Sequence, residues 1–94
     1  MKQMPNSNEE FAERFRKLNR DTKAEQEQLY GGDWSDISVN SIISDVVNHS
    51  VSYLREGLEE IETAIEKYGK PKDDPETVEI NQEIKCMYDY LDNI

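Results

Sequence analysis

The only histidine, His49, stands four residues from both Asp45 and Tyr53. Within a helix this spacing places the three side chains on one face, so a carboxylate could orient the imidazole for acid or base chemistry. Catalysis would also need a nucleophile, a pocket and an oxyanion donor, and the sequence indicates none of them. We therefore predict no catalytic residue and a protein that is not an enzyme.

Metal and cofactor chemistry has equally little support. The chain has one histidine and one cysteine, Cys86, and it contains no calcium-binding loop, no HExxH sequence and no Glu-x-x-His pair of a di-iron bundle. We predict neither a metal site nor a cofactor. A single cysteine cannot form an internal disulfide, which fits a reducing cytoplasm, that of the host if the protein is viral.

Acidic residues dominate the charged side chains, and the formal net charge is −10. This balance argues against direct DNA or RNA binding, because a polyanion requires a positive surface. Residues 31–94 carry fifteen acidic and five basic side chains. Within that segment, five glutamates spread around the outer face of one predicted helix: Glu56, Glu59, Glu60, Glu62 and Glu66. They form either a solvated face or a surface that docks onto a basic protein partner.

A basic row near the N-terminus has two interpretations. Arg16, Arg20 and Lys23 follow one another at helical spacing, and none has an acidic residue four positions before it. They could lie against the acidic segment of the same or a neighbouring chain. Alternatively, they could bind the phosphates of an anionic nucleotide, with Phe11 or Phe15 stacking on its base. No phosphate-binding glycine motif accompanies them.

The N-terminal element that would position this row is an amphipathic helix. Residues 1–6 are predicted to be a flexible tail, and residues 7–94 a single helical domain. Ser7 and Glu10 have the spacing of a capping box, which predicts a helix over about 8–28. Its apolar face weakens after Leu18, so the alternative is a helix that frays after Asp21.

Two further helices are predicted, over about 38–68 and 75–93. Apolar residues recur at spacings of three and four through both segments, and Gly69 with Pro71 ends the first of them. Asp74 and Pro75 begin the second. The fold class is therefore all-α: an N-terminal helix followed by a long antiparallel helical hairpin.

A stripe of small residues, Ser50, Gly57 and Ala64, runs along the central helix at intervals of seven. Small side chains let another helix backbone approach closely, so we predict that this stripe is the seam of a homo-oligomeric helical bundle. Oligomerisation would also enlarge the thin core of a 94-residue chain.

These features favour a small acidic binding protein that inhibits or modulates a partner by occupying its surface. A phage-type inhibitor of a host defence or nucleic-acid enzyme is one such protein. The alternatives are an oligomer that sequesters an anionic nucleotide and a structural assembly subunit. No apolar run reaches the roughly 18 residues of a membrane span, so no membrane partner is expected.

Overall fold

The computed structural model describes residues 3–30 and 36–94, and for Tyr30 only the backbone. Over these residues the chain is all-helical, with no strand. The five helices are α1 (Asn8–Asp21), α2 (Lys23–Tyr30), α3 (Val39–Val47), α4 (Ser52–Tyr68) and α5 (Pro75–Asp92). Helix α1 packs mainly on α3 and also contacts α5, while α2 packs on α4 and α4 packs on α5.

Helix α1 begins where the capping residues predict. The Ser7 hydroxyl accepts a hydrogen bond from the Glu10 N–H at 3.1 Å, and the Glu10 carboxylate accepts one from the Asn6 N–H at 2.7 Å. Pro5, in the segment predicted to be a flexible tail, is buried. Pro5 therefore packs against the helical domain, while Gln3, Met4 and Asn6 are exposed, and Met1 and Lys2 lie outside the described residues.

The core is centred on the aromatic face of α1. The Phe11 ring stacks on Phe15 at a centroid distance of 6.0 Å and on Tyr90 of α5 at 5.3 Å. The Tyr90 hydroxyl donates a hydrogen bond to the Asn8 side chain. These contacts join the first helix to the last, and the apolar faces of α3 and α4 complete the same cluster.

The predicted helix over 8–28 is bent at Thr22 into α1 and α2. The Thr22 hydroxyl donates to the Leu18 carbonyl at 2.7 Å, a bond of the kind that bends helices. Gln26 in turn donates to the Thr22 hydroxyl at 2.9 Å. Asn19, Thr22 and Gln26 are all buried, so the bend is held by an internal polar cluster that periodicity alone does not reveal.

The predicted helix over 38–68 is also divided, and here the interruption is complete. Helix α3 ends in a Schellman motif: the Ser50 N–H donates to the Asp45 carbonyl at 2.7 Å, and the His49 N–H donates to the Val46 carbonyl at 3.2 Å. His49 has φ = 60°, in the left-handed region where glycine is usual. A single long helix is therefore wrong, because residues 48–51 form a turn without any glycine or proline.

Helix α4 ends and helix α5 begins where the sequence predicts. Gly69 caps α4, and a Cβ at this position would lie 2.7 Å from the Ile65 carbonyl oxygen, which explains the glycine. Asp74 caps α5 by accepting from the Glu76 N–H at 2.9 Å. Arg55 of α4 forms an ion pair with Asp92 of α5.

The polar cluster at the bend provides a test of the fold. We expect Thr22→Val to lower the free energy of unfolding by about 1–3 kcal/mol, because it removes the hydroxyl and leaves the buried Gln26 amide without that acceptor. Urea unfolding monitored by circular dichroism measures the change. Thr63→Val is the matched control, since the Thr63 hydroxyl makes the same type of bond to Glu59 on the exposed surface. Equal losses in the two variants would show that the buried cluster adds nothing to the bend.

Candidate functional site

The acidic face of α4 is the candidate binding site. Of its five glutamates, Glu56, Glu59, Glu62 and Glu66 are exposed and Glu60 is partly buried. The opposite face of α4 carries buried apolar residues that fix the helix in the core: Leu54, Leu58, Ile61 and Ile65. Because this apolar stripe determines which face meets the core, the glutamates are turned toward solvent.

Three of the glutamates form a row toward α5. Glu59, Glu62 and Glu66 span two helical turns, about 10 Å at the usual rise. Partial burial raises the pKa of Glu62, and the neighbouring charges of Glu59 and Glu66 raise it further. The three carboxylates therefore lie close enough to repel one another, so this part of the surface is strongly negative.

Tyr88 of α5 stands beside this row. Its side chain is half-buried and packs against the core. Burial, with the charges of Glu62 and Glu59, raises the pKa of Tyr88 to about 12, and Arg55 acts weakly in the opposite direction. From the sequence, the role of Tyr88 at the rim of the α5 stripe is ambiguous. The structure makes it the aromatic neighbour of the α4 row.

The other two glutamates face a different neighbour. Partial burial raises the pKa of Tyr53, although much of its side chain is exposed. The charges of Asp45, Glu60 and Glu56 raise this pKa further, in that order of size. The five glutamates therefore divide into the row of Glu59, Glu62 and Glu66, with Tyr88 near the first two, and a pair on the side of Tyr53. The row and its tyrosine, Glu59, Glu62, Glu66 and Tyr88, are termed the acidic surface.

The small-residue stripe does not form a seam on the surface. Gly57 and Ala64 are buried within the single chain, and Ser50 lies exposed in the turn before α4. This placement corrects the prediction that the three small residues form one oligomer seam along a single long helix. The small side chains of Gly57 and Ala64 instead serve the packing of α4 inside its own fold.

The basic row and its aromatic neighbours are also placed differently. Phe11 and Phe15 are 0% exposed, so neither ring has a face available for stacking on a base, as the nucleotide interpretation requires. Arg20 is exposed, and Lys23 lies 3.9 Å from Glu27 in an ion pair on α2. The Arg16 Nε is buried. Neither Phe11 nor Phe15 can therefore stack on the base of a nucleotide bound by these cations.

A groove of about 690 Å³ lies between α1 and α5, with the apolar side chains Leu18 and Ile80 in its lining. Its charged side chains are largely engaged with one another. Arg14 donates to Glu83 across the groove at 2.6 Å and lies 3.6 Å from Glu10. Because the ion pair of Arg14 with Glu83 joins its two walls, we interpret the groove as a structural junction.

His49 lies in the turn between α3 and α4. It therefore does not share one helix face with Asp45 and Tyr53, as the sequence predicts. A shallow groove of about 640 Å³ nearby is lined by serine hydroxyls and by Asp36, Asp45 and Tyr53. His49 is not among its lining residues, so the arrangement gives the imidazole no defined substrate position. Residues 3–30 and 36–94 contain no group of three or more histidine, cysteine or acidic side chains suited to a metal ion.

None of the helices in the described ranges is both long enough and apolar enough to cross a membrane. Comparison with known proteins found no matching family model, no matching curated protein and no matching solved structure.

The raised pKa of Glu62, caused first by partial burial and then by the charges of Glu59 and Glu66, predicts a pH-dependent stability. A raised pKa means that the folded chain keeps the Glu62 proton to higher pH than the unfolded chain does, so stability falls as pH rises above the ordinary value of 4.5. We expect Glu62→Gln to raise the melting temperature slightly at neutral pH, with the gain disappearing in acid, where Glu62 is protonated in both states. Glu62 is largely solvated, so screening keeps the effect small.

Thermal unfolding followed by circular dichroism across this pH range measures the effect. Glu13→Gln on the exposed side of α1 is the control for removing one negative charge. A gain of the same size in both variants at every pH would show that net charge, rather than crowding at Glu62, is responsible.

Proposed function

We propose that this protein is a non-catalytic acidic binding protein, which inhibits or modulates a partner protein by occupying a positively charged surface. The observation that carries the proposal is the row of Glu59, Glu62 and Glu66 beside Tyr88. Three carboxylates are held on one rigid helix with an aromatic side chain next to them. Such an arrangement suits arginine and lysine side chains, which pair with carboxylates and lie against aromatic rings.

The partner is a protein with a basic groove, such as one that ordinarily holds nucleic acid. Negative charge on the folded chain would steer its approach to such a groove. In this proposal the row takes the place of phosphate groups, and the partner loses access to its own ligand. A phage-type inhibitor of a host defence or nucleic-acid enzyme would work in this way, inside the cytoplasm where Cys86 stays reduced.

The helices that display the row are proposed to act as an antiparallel hairpin of α4 and α5. Support comes from the ion pair between Arg55, near the start of α4, and Asp92, at the end of α5. The connection between the helices is short. A hairpin fixed at its open end by an ion pair would keep Tyr88 beside the α4 row.

A charge-neutralised variant tests the proposal. We expect the triple substitution Glu59→Gln, Glu62→Gln and Glu66→Gln to lose partners that the wild-type chain captures from a bacterial lysate. A captured protein is then purified, and its affinity for both chains is measured by calorimetry at two salt concentrations. Binding to the wild-type chain should weaken with salt and be displaced by DNA, whereas the triple variant should bind at least about tenfold more weakly.

The matched control removes the same charge elsewhere, through Glu9→Gln, Glu13→Gln and Glu27→Gln on the exposed surfaces of α1 and α2. This variant should bind like the wild-type chain. If both triple variants lose binding equally, net charge rather than the row is responsible. If the purified protein binds all three chains alike, the row is not the binding surface.

A further inference from the structure

The turn between α3 and α4 has the features of a hinge. His49 adopts φ = 60°, a conformation in which an L-amino acid other than glycine is disfavoured by contact of its Cβ with the backbone. Asn48, Ser50 and Val51 complete the turn, and none of the four residues would interrupt a helix as proline would. The folded chain therefore keeps a strained turn at a place where the sequence permits continuous helix.

The start of α4 also supports a hinge at this turn. Its N-cap residue is Val51, which provides no side-chain hydrogen bond to the free N–H groups of the first turn. Helices α1, α3 and α5 are each capped by a serine or aspartate side chain. If residues 48–51 were helical, preceding carbonyl groups would accept hydrogen bonds from the N–H groups at the start of α4.

The apolar pattern also passes through the turn without a break. Val47, Val51 and Leu54 would occupy one face of a continuous helix, and Leu54 is fully buried. In the folded chain, however, Val47, the last residue of α3, is 58% exposed. A valine in register with the buried stripe of α4 is thus directed toward solvent in the single copy.

We propose that the 48–51 turn can open into helix and that two copies of the chain then exchange halves. In this exchanged dimer, α1, α2 and α3 of one copy pack on α4 and α5 of the other, and α3 and α4 become one continuous helix. Each half that is exposed by the opening binds the complementary half of a second copy of this chain. The exchange does not depend on the proposed partner-binding function.

The contacts between the two halves are suited to exchange, because each can re-form between copies. They include the packing of α2 on α4 and of α1 on α5, the stack of Phe11 on Tyr90, the hydrogen bond of Tyr90 to Asn8 and the ion pair of Arg14 with Glu83. The packing of α1 on α3 stays within one half. The exchange therefore loses none of these contacts, and it relieves the strain at His49 in both copies.

Substitutions at residue 49 shift this equilibrium in opposite directions. Glycine tolerates the left-handed conformation and is a poor helix residue, whereas alanine has the reverse preferences. We expect His49→Gly to lower the association constant of the dimer by at least about tenfold, and His49→Ala to raise it several-fold. Size-exclusion chromatography with light scattering, over a concentration series incubated to equilibrium, measures both. A strict monomer at every concentration in all three chains would overturn the proposal.

A second experiment distinguishes exchange from any other dimer and leaves residue 49 untouched. Arg14→Glu and Glu83→Arg each place like charges together within one copy. In an exchanged heterodimer of these two variants, both ion pairs are restored between the copies. Mixing the variants should therefore give more dimer than either variant alone. A mixture that dimerises no more than its components would contradict exchange even if a dimer exists.

Discussion

The stack of Phe11 between Phe15 and Tyr90 is the contact on which the rest of the fold depends. It joins the first helix to the last, and the hydrogen bond between Tyr90 and Asn8 fixes the same two helices at their ends. A chain of 94 residues can bury only a modest core, so the fully buried rings of Phe11 and Phe15 contribute a substantial share of it. Their burial serves packing, which removes them from ligand recognition.

The apolar side of α4 determines where its charge is displayed. Leu54, Leu58 and Ile61 are fully buried, and this requirement leaves the glutamates no other side on which to lie. Each negative charge added to the surface opposes the compact state by repulsion. The pKa of Glu62 is raised first by partial burial and then by the charges of Glu59 and Glu66. This repulsion is concentrated on one face of α4, as expected if a cationic surface neutralises the charge there.

Much of the local structure could be predicted from the sequence, because it depends on neighbouring residues. Ser7 and Glu10 begin α1, Gly69 ends α4, and Asp74 with Pro75 begins α5, each through short-range hydrogen bonds or backbone geometry. Of the acidic surface, the three α4 glutamates could be predicted from the sequence. Tyr88 could not be assigned to it, because its position beside Glu62 depends on how α5 packs on α4.

The two helix interruptions were harder to predict, and for a common reason. Neither interruption contains glycine or proline. The apolar spacing weakens after Leu18 without locating a bend at Thr22, and it continues without a break through residues 48–51, so the local signals favour helix. What decides against helix is compactness: two long helices cannot surround one small core unless they fold back. The first bend is held by buried hydrogen bonds, but the second relies on a histidine in a left-handed conformation. The local preference and the packing of a single copy thus oppose each other at His49, and a second copy would satisfy both.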